Sequence, residues 1–254
     1  MSARIHPITD HTAGEVHAYL LEMDDGVTLI DTLSDDGGAT VAATIEAGLR
    51  RPLSDLKRIV LTHSHRSHIR GAARLRALTK ARVYANPFEA ATIAGERPCA
   101  PVTFRPHRPR QALKLQYGLN VGVYAERLGV PRRMLDPFNA PACEVDQEVV
   151  DGDSIGELQV VLTPRHTDGS TSFYWPAERA LFLGDVLVTW PRVEIGWRGL
   201  TVDNARNRRS LGELATVGDV EFVGTGHGKP LVEDAAATVR ALLAGAAVRG
   251  PYGT

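Results

Sequence analysis

Apolar residues in this chain gather into short runs, and the spacing between them predicts alternating strands and helices. Residues 16–22 and 27–31 read as two strands joined at Asp24-Asp25-Gly26, and Asp-Gly between apolar stretches is a hairpin signal. An amphipathic pattern over 39–49 predicts a helix, followed by a strand at 58–61 that closes the apolar run 56–61. Helical spacing resumes at Ile69 and continues through Leu75 and Leu78, then gives way to a short strand at 82–85 and a helix from about Pro87. A second half starts near Val145 with short strands and a turn at Asp151-Gly152-Asp153, and ends in a helix over about 232–246. Alternation of this kind implies an α/β protein, and by itself it also allows a doubly wound parallel sheet.

Several of these runs end in the same way: an apolar strand, then a ligand-type side chain in a turn. The run 56–61 leads into Thr62-His63-Ser64-His65-Arg66-Ser67-His68, with three histidines in six residues. The run 158–162 leads into Thr163-Pro164-Arg165-His166-Thr167-Asp168-Gly169-Ser170. Leu181-Phe182-Leu183-Gly184-Asp185 ends on a carboxylate, and Phe222-Val223-Gly224-Thr225-Gly226-His227-Gly228 ends on a histidine between glycines. Five of the nine histidines stand in these turns. Neutral imidazole is the commonest protein ligand for zinc, and packing gives no reason for three histidines at this spacing after a buried strand. A lone histidine is more often a packing or surface residue, and His6, His11, His17 and His107 lack ligand spacing.

The order and context of these motifs resemble the metallo-β-lactamase-fold hydrolase superfamily, which includes glyoxalase II-like enzymes. Its pattern is T-H-x-H-x-D-H, then H-T-x-G-S, G-D and G-H-G, and the resemblance runs from Leu29-Ile30-Asp31-Thr32 to His227. It implies a four-layer αβ/βα sandwich with a mainly helical insertion between the halves, in a single domain over 1–254. It also implies a first metal site at His63, His65 and His166, a second at His68 and His227, and Asp185 between them as bridging ligand and catalytic carboxylate. Zinc is the metal so implied, one ion held tightly and a second weakly; iron is the alternative. The activity implied is hydrolysis of an ester or thioester, or a lactone, by water activated on the metal, with Asp185 orienting the nucleophile or carrying a proton.

Two positions depart from that pattern. Ser67 stands where the family has aspartate, and a hydroxyl is a poorer ligand than a carboxylate, so the second site is expected to be weaker. Serine is also a favoured helix N-cap, and Ser67 lies where the following helix is expected to start. Arg70, where the family commonly has glycine, sets a bulky cation beside the motif.

Composition narrows the partners. A net charge of −1 argues against a general nucleic-acid or membrane-surface role, and no apolar run reaches the length of a transmembrane helix. Residues 1–7 carry no apolar segment of signal-peptide length, so a soluble cytoplasmic protein acting on a small molecule is expected. Cys99 and Cys143 stand outside any ligand motif. The stretch 97–141 exceeds what the sandwich needs and is rich in arginine, which leaves room for an anionic or carrier-linked substrate. Tyr117, Tyr124, Met134 and Phe138 are candidates to line a pocket there, with packing of the insertion as the alternative. Trp190, Arg192, Trp197 and Lys229 are candidate cleft residues, equally compatible with core or surface roles, and no substrate-binding residue is fixed by sequence. A mononuclear iron redox enzyme and a non-catalytic binding domain are the competing readings, and six retained ligand-type positions count against the latter.

Overall fold

The computed structural model describes residues 4–11, 15–97, 140–197, 200–232, 234–248 and 250–252. The expected insertion and its candidate pocket residues therefore lie almost wholly outside the described residues, as do Cys99 and His107.

Two mixed sheets face one another. The first runs β1 (Ile5–Asp10), β2 (Val16–Met23), β3 (Gly26–Ile30), β4 (Leu56–Val60), β5 (Arg82–Ala85), β6 (Gln147–Glu148). It is antiparallel from β1 to β3 and parallel from β3 to β6. The second is built from β7 (Ser154–Ile155), β8 (Leu158–Leu162), β9 (Thr171–Trp175), β10 (Ala180–Phe182) and β11 (Phe222–Gly224), in the order β11-β10-β9-β8-β7. Only its β10–β11 pair is parallel.

Period-two alternation sorts the strand side chains onto two faces. Ala18, Leu20, Leu29 and Ile59 pack outward, against Val41 and Ile45 on one helix and Ala72 and Leu75 on another. Tyr19, Leu21, Ile30 and Val60 point the other way, into a core shared with Leu158, Val160, Phe173, Trp175 and Phe182 of the second sheet. Behind that sheet, Tyr174, Leu181 and Val223 pack on Leu211, Leu214 and Val239. Three cores separate four layers, which is the αβ/βα sandwich and not a single doubly wound sheet. The helices are α1 (Ala39–Ala43, prolonged by a π-helical turn over Thr44–Gly48), α2 (Arg66–Ile69), α3 (Ala72–Thr79), α4 (Pro87–Ile93), α5 (Asn204–Leu214) and α6 (Ala235–Leu243).

Three expectations change. The helical run from Ile69 to Leu78 is interrupted at Gly71, because Thr32, just beyond β3, donates to the His68 carbonyl from its amide (2.6 Å) and hydroxyl (3.0 Å) and accepts from the Gly71 amide (3.1 Å), drawing these groups out of a continuous helical ladder. The second half does not begin at Val145, because β6 pairs with β5 and completes the first sheet. Ser67 is not the cap: α2 starts at Arg66, its N-cap is His65, and Ser67 is the second helical residue. Strand β1 and helix α5, whose patterns are weak, are additions to the elements expected.

The edge joining β5 to β6 is fastened by Asp146, which accepts from Arg76 Nη2 (2.7 Å), Arg76 Nε (2.9 Å) and the Val83 amide (2.8 Å). The hydrogen bonds from Arg76 hold its carboxyl below the usual carboxylate range. A depressed folded pKa gives stability that is present above the unfolded pKa and lost as pH falls through the folded value. Asp146→Asn should therefore cost about 1 kcal/mol at neutral pH, a modest figure because the pair is partly solvated. In urea unfolding the difference should shrink as pH drops below the ordinary carboxylate pKa of about 3.9; a pH-independent difference would mean the charge plays no part.

Candidate metal centre

Four turns at the strand ends of the two sheets converge. His63 and His65 follow β4, with His68 close behind them in α2; His166 sits between β8 and β9, Asp185 occupies a 3-10 turn after β10, and His227 follows β11. The seam is closed by His17 N–H donating to the Gly226 carbonyl at 2.8 Å, so β2 of the first sheet grips the His227 turn of the second. Gly226 has no room for a side chain: a Cβ would meet Asp185 Oδ1 at 2.3 Å and His68 Cε1 at 2.6 Å.

All six side chains are buried, none more than 6% exposed. Their donor atoms form two overlapping groups, His63/His65/His166/Asp185 and His68/Asp185/His227, each with its atoms within 4.8 Å of one another. His65 Nδ1 lies 3.0 Å from His166 Nε2, and His68 Nε2 lies 3.3 Å from His227 Nε2. Asp185 Oδ2 is 3.8 Å from His63 Nε2 and 3.5 Å from both His166 Nε2 and His227 Nε2, while Oδ1 is 3.5 Å from His68 Nε2. Four ligands arranged tetrahedrally at bonds of roughly 2.0–2.2 Å lie about 3.3–3.6 Å apart. The measured separations bracket that range. His63 Nε2 and Asp185 Oδ1 are also buried without a hydrogen-bond partner among the described residues. Orphaned buried donors aimed at a common point are costly unless something fills it, and a divalent cation fits this donor set.

Surrounding groups fix which nitrogen of each ring faces inward. Asp31 Oδ2 accepts from Thr62 Oγ1 (2.8 Å) and lies 2.8 Å from His68 Nδ1; Oδ1 accepts from the Thr62 amide (2.8 Å). A carboxylate only accepts, so His68 Nδ1 carries a proton and Nε2 turns to the cluster. Thr62 spends its one hydroxyl proton on Asp31, so His63 Nδ1, 2.9 Å away, must be the donor in that contact and His63 Nε2 keeps its lone pair. His166 Nδ1 is held 3.1 Å from Thr201 Oγ1. Such outer contacts orient metal-binding imidazoles and fix their tautomers.

Charge states follow from burial and neighbours. Burial pushes His166 down to about 4 and His63 and His65 well below the usual imidazole range, so all three are neutral and ready to donate a lone pair. Burial also disfavours the His68 cation, but Asp185 and Asp31 outweigh it and raise this imidazole to about 10. Burial opposes ionisation of Asp185, yet His227 and His68 hold it well below the carboxylate range. The first group thus has three neutral imidazoles and a carboxylate, whereas an ion entering the second must displace a proton from His68.

All six sequence-identified ligand candidates are brought together. Ser67, half-buried and next to His68, belongs to neither donor group. Arg70 pairs with Asp36 at 3.0 Å and belongs to neither donor group. Trp197, a candidate cleft residue, lays its indole against the His227 ring, centroids 4.4 Å apart, with Nε1 donating to the Trp190 carbonyl at 3.2 Å. Arg192 pairs with Glu194, and exposed Lys229 lies over the Tyr252 ring. His6 pairs with Glu22 at 2.8 Å, and His17 is buried outside both donor groups. Cys143 is a buried free thiol in the outer core, and burial pushes it up to about 11. The supporting residues Glu89 and Thr201 carry no sequence signal of their own; Thr62 and Asp31 lie within the family pattern, but nothing in the sequence shows that they contact each other and the histidines.

A sequence profile of the Metallo-beta-lactamase superfamily matches residues 11–227, and the chain belongs to that superfamily. Hydroxyacylglutathione hydrolase of Brucella anthropi is 27% identical over 182 residues, which are 68% of this chain and 51% of that protein. The chain thus spans about half the length of this curated relative. A metallo-beta-lactamase family protein from Thermus thermophilus superposes with a TM-score of 0.65 at 22% identity, covering 96% of this chain and 79% of that one. A second structure, of a protein in a di-iron-bound form, superposes with a TM-score of 0.64 at 24% identity, covering 92% and 98% of the two chains. Among the described residues no helix is long and apolar enough to cross a membrane.

The position beside His68 can be given back a carboxylate. Ser67→Asp should tighten binding of a second divalent ion, because it adds an oxygen donor and a negative charge beside His68, a member of the second donor group. The first ion should bind as before. Zinc titration followed by calorimetry checks this, and an unchanged second affinity would mean that neighbouring residues, not Ser67 alone, limit the site.

Proposed function

We propose that this protein is a metal-dependent hydrolase of ester or thioester bonds, with lactones as related substrates, and that His63, His65, His166 and Asp185 hold its tightly bound ion. His68 and His227, with Asp185, hold a second, weaker one. The observation that carries this reading is the donor geometry: six buried side chains from both sheets, spaced as ligands of a common ion are, with orphaned lone pairs directed inward. The partial match to a hydroxyacylglutathione hydrolase supports the thioester end of the substrate range.

What the ion supplies when bound is Lewis acidity, which polarises a carbonyl and makes water acidic enough to act near neutral pH. The protein's own residues do the rest. Because His63, His65 and His166 are neutral, they leave the charge of a bound cation largely uncancelled, which favours an oxyanion. Ionised Asp185, whose Oδ1 lacks a close hydrogen-bond partner among the described residues, can orient an attacking water. Trp197 shields the His227 side from solvent, and water exclusion strengthens every electrostatic contact within. Zinc is the first candidate, and the di-iron form of a structural relative makes iron the second. We place the protein in the cytoplasm, acting on a small, anionic or carrier-linked molecule.

Metal analysis of protein purified without added metal, followed by an ester, thioester and lactone panel on the loaded protein, tests this. About one tightly held ion per chain and turnover of an activated ester or thioester are expected. His166→Ala should abolish turnover and weaken metal binding while leaving the far-ultraviolet circular dichroism unchanged. A loaded protein inactive on the whole panel would sink the hydrolase reading, and oxygen uptake with bound ferrous iron would replace it with redox chemistry.

A further inference from the structure

Glu89 is a buried carboxylate that takes no part in either donor group. It projects from α4, is 3% exposed, and pairs with no lysine or arginine among the described residues. An ionisable group is costly to bury unless its oxygens are satisfied. Here both are, each by a backbone amide from a different ligand-bearing loop. Oε2 accepts from Ser64 N at 2.9 Å, between His63 and His65, and Oε1 accepts from Gly169 N at 2.7 Å, in the turn that carries His166.

The joint is tight on every side. A Cβ on Gly169 would meet Asn86 Oδ1 at 2.6 Å, Phe88 Cβ at 2.9 Å and Glu89 Cγ at 3.0 Å, so only glycine lets the His166 loop come this close to α4. The helix is itself anchored at its start. Asn86 Oδ1 accepts from the Phe88 amide at 3.0 Å, and Asn86 Nδ2 donates to the Val149 carbonyl at 3.3 Å. One side chain with a fixed base thus spans the two loops that come from opposite sheets, and across that joint His65 Nδ1 stands 3.0 Å from His166 Nε2.

We propose that Glu89 is a positioning residue of the metal centre. Through the amides of Ser64 and Gly169 it fixes how far His63 and His65 stand from His166, and so sets the affinity and ligand geometry of the first ion. The proposal rests on the reading that these three histidines bind that ion. Glu89→Gln keeps the volume but turns an NH₂ group towards one of two N–H donors, which breaks one arm of the bridge. Changes to the groups that hold metal ligands in place typically weaken metal binding by roughly 10–100-fold.

The probe is cobalt(II), whose visible absorption reports ligand number and geometry. Glu89→Gln should lose affinity for the first cobalt(II) by about 10–100-fold and show altered visible bands, with the metal-free protein still folded by circular dichroism. Gly169→Ala, which pushes the same joint apart from the other side, should alter the bands in the same direction and serves if Glu89→Gln does not fold. Asp146→Asn, which touches neither donor group, controls for general loss of stability and should leave the spectrum unchanged. Bands and affinity matching wild type in Glu89→Gln, or shifts no larger than those of Asp146→Asn, would overturn the proposal. Failure of both joint variants to fold would do the same, making Glu89 a requirement of the fold instead. A wild-type protein that takes up no cobalt(II) would reject the metal-centre reading itself.

Discussion

The carboxylate of Asp31 is the fixed point on which the first-sheet side of the cluster depends. It sits just beyond β3 in a left-handed backbone conformation (φ 57°), which aspartate tolerates better than most residues. From there it accepts two bonds from Thr62 and faces Nδ1 of His68. Those contacts determine the orientation of two rings, one directly and one through a hydroxyl, and they keep Nε2 of both directed at the cluster, with its lone pair free on His63 and a proton to displace on His68. Without an acceptor at this place, either ring could turn its proton inward, and a cation would meet an N–H group in place of a donor.

Around that point burial disfavours the charged form of His63, His65, His68 and His166 alike, and neighbouring carboxylates decide which one escapes it. Burial keeps His63, His65 and His166 neutral, whereas at His68 the adjacent carboxylates of Asp185 and Asp31 outweigh it and favour the charged form. The two halves of the cluster are therefore unequal before any ion arrives. Ser67 deepens the inequality by withholding a carboxylate from the half that already binds a proton.

Much of this is legible in the chain because ligand-bearing turns leave a local trace. His63, His65 and His68 share one short stretch, and His166, Asp185 and His227 each follow an apolar strand, so spacing and context are enough to find them. The supporting contacts leave no such trace. Glu89 reaches Ser64 and Gly169 through backbone amides, which every residue but proline possesses, and nothing in a sequence marks which amide a distant carboxylate will meet. Thr201 is equally silent, a threonine in a loop whose partner His166 lies far back in the chain. Ser67 is ambiguous for another reason: one residue of uncertainty in where α2 begins decides whether it caps the helix, and the helix begins one residue before it. The break at Gly71 likewise depends on hydrogen bonds with Thr32, just beyond β3, which a helical period cannot register.

The location of the cluster across the seam between the sheets has a mechanical consequence. His63, His65 and His68 belong to the first sheet's side, and His166, Asp185 and His227 to the second's. An ion joining them is a reversible cross-link between the two halves of the sandwich, closing long stretches of chain much as a disulfide would. The resistance of the folded protein to unfolding then becomes a function of free metal concentration, rising with its logarithm once the site is saturated. Loss of an ion from this position would release the clasp between the sheets.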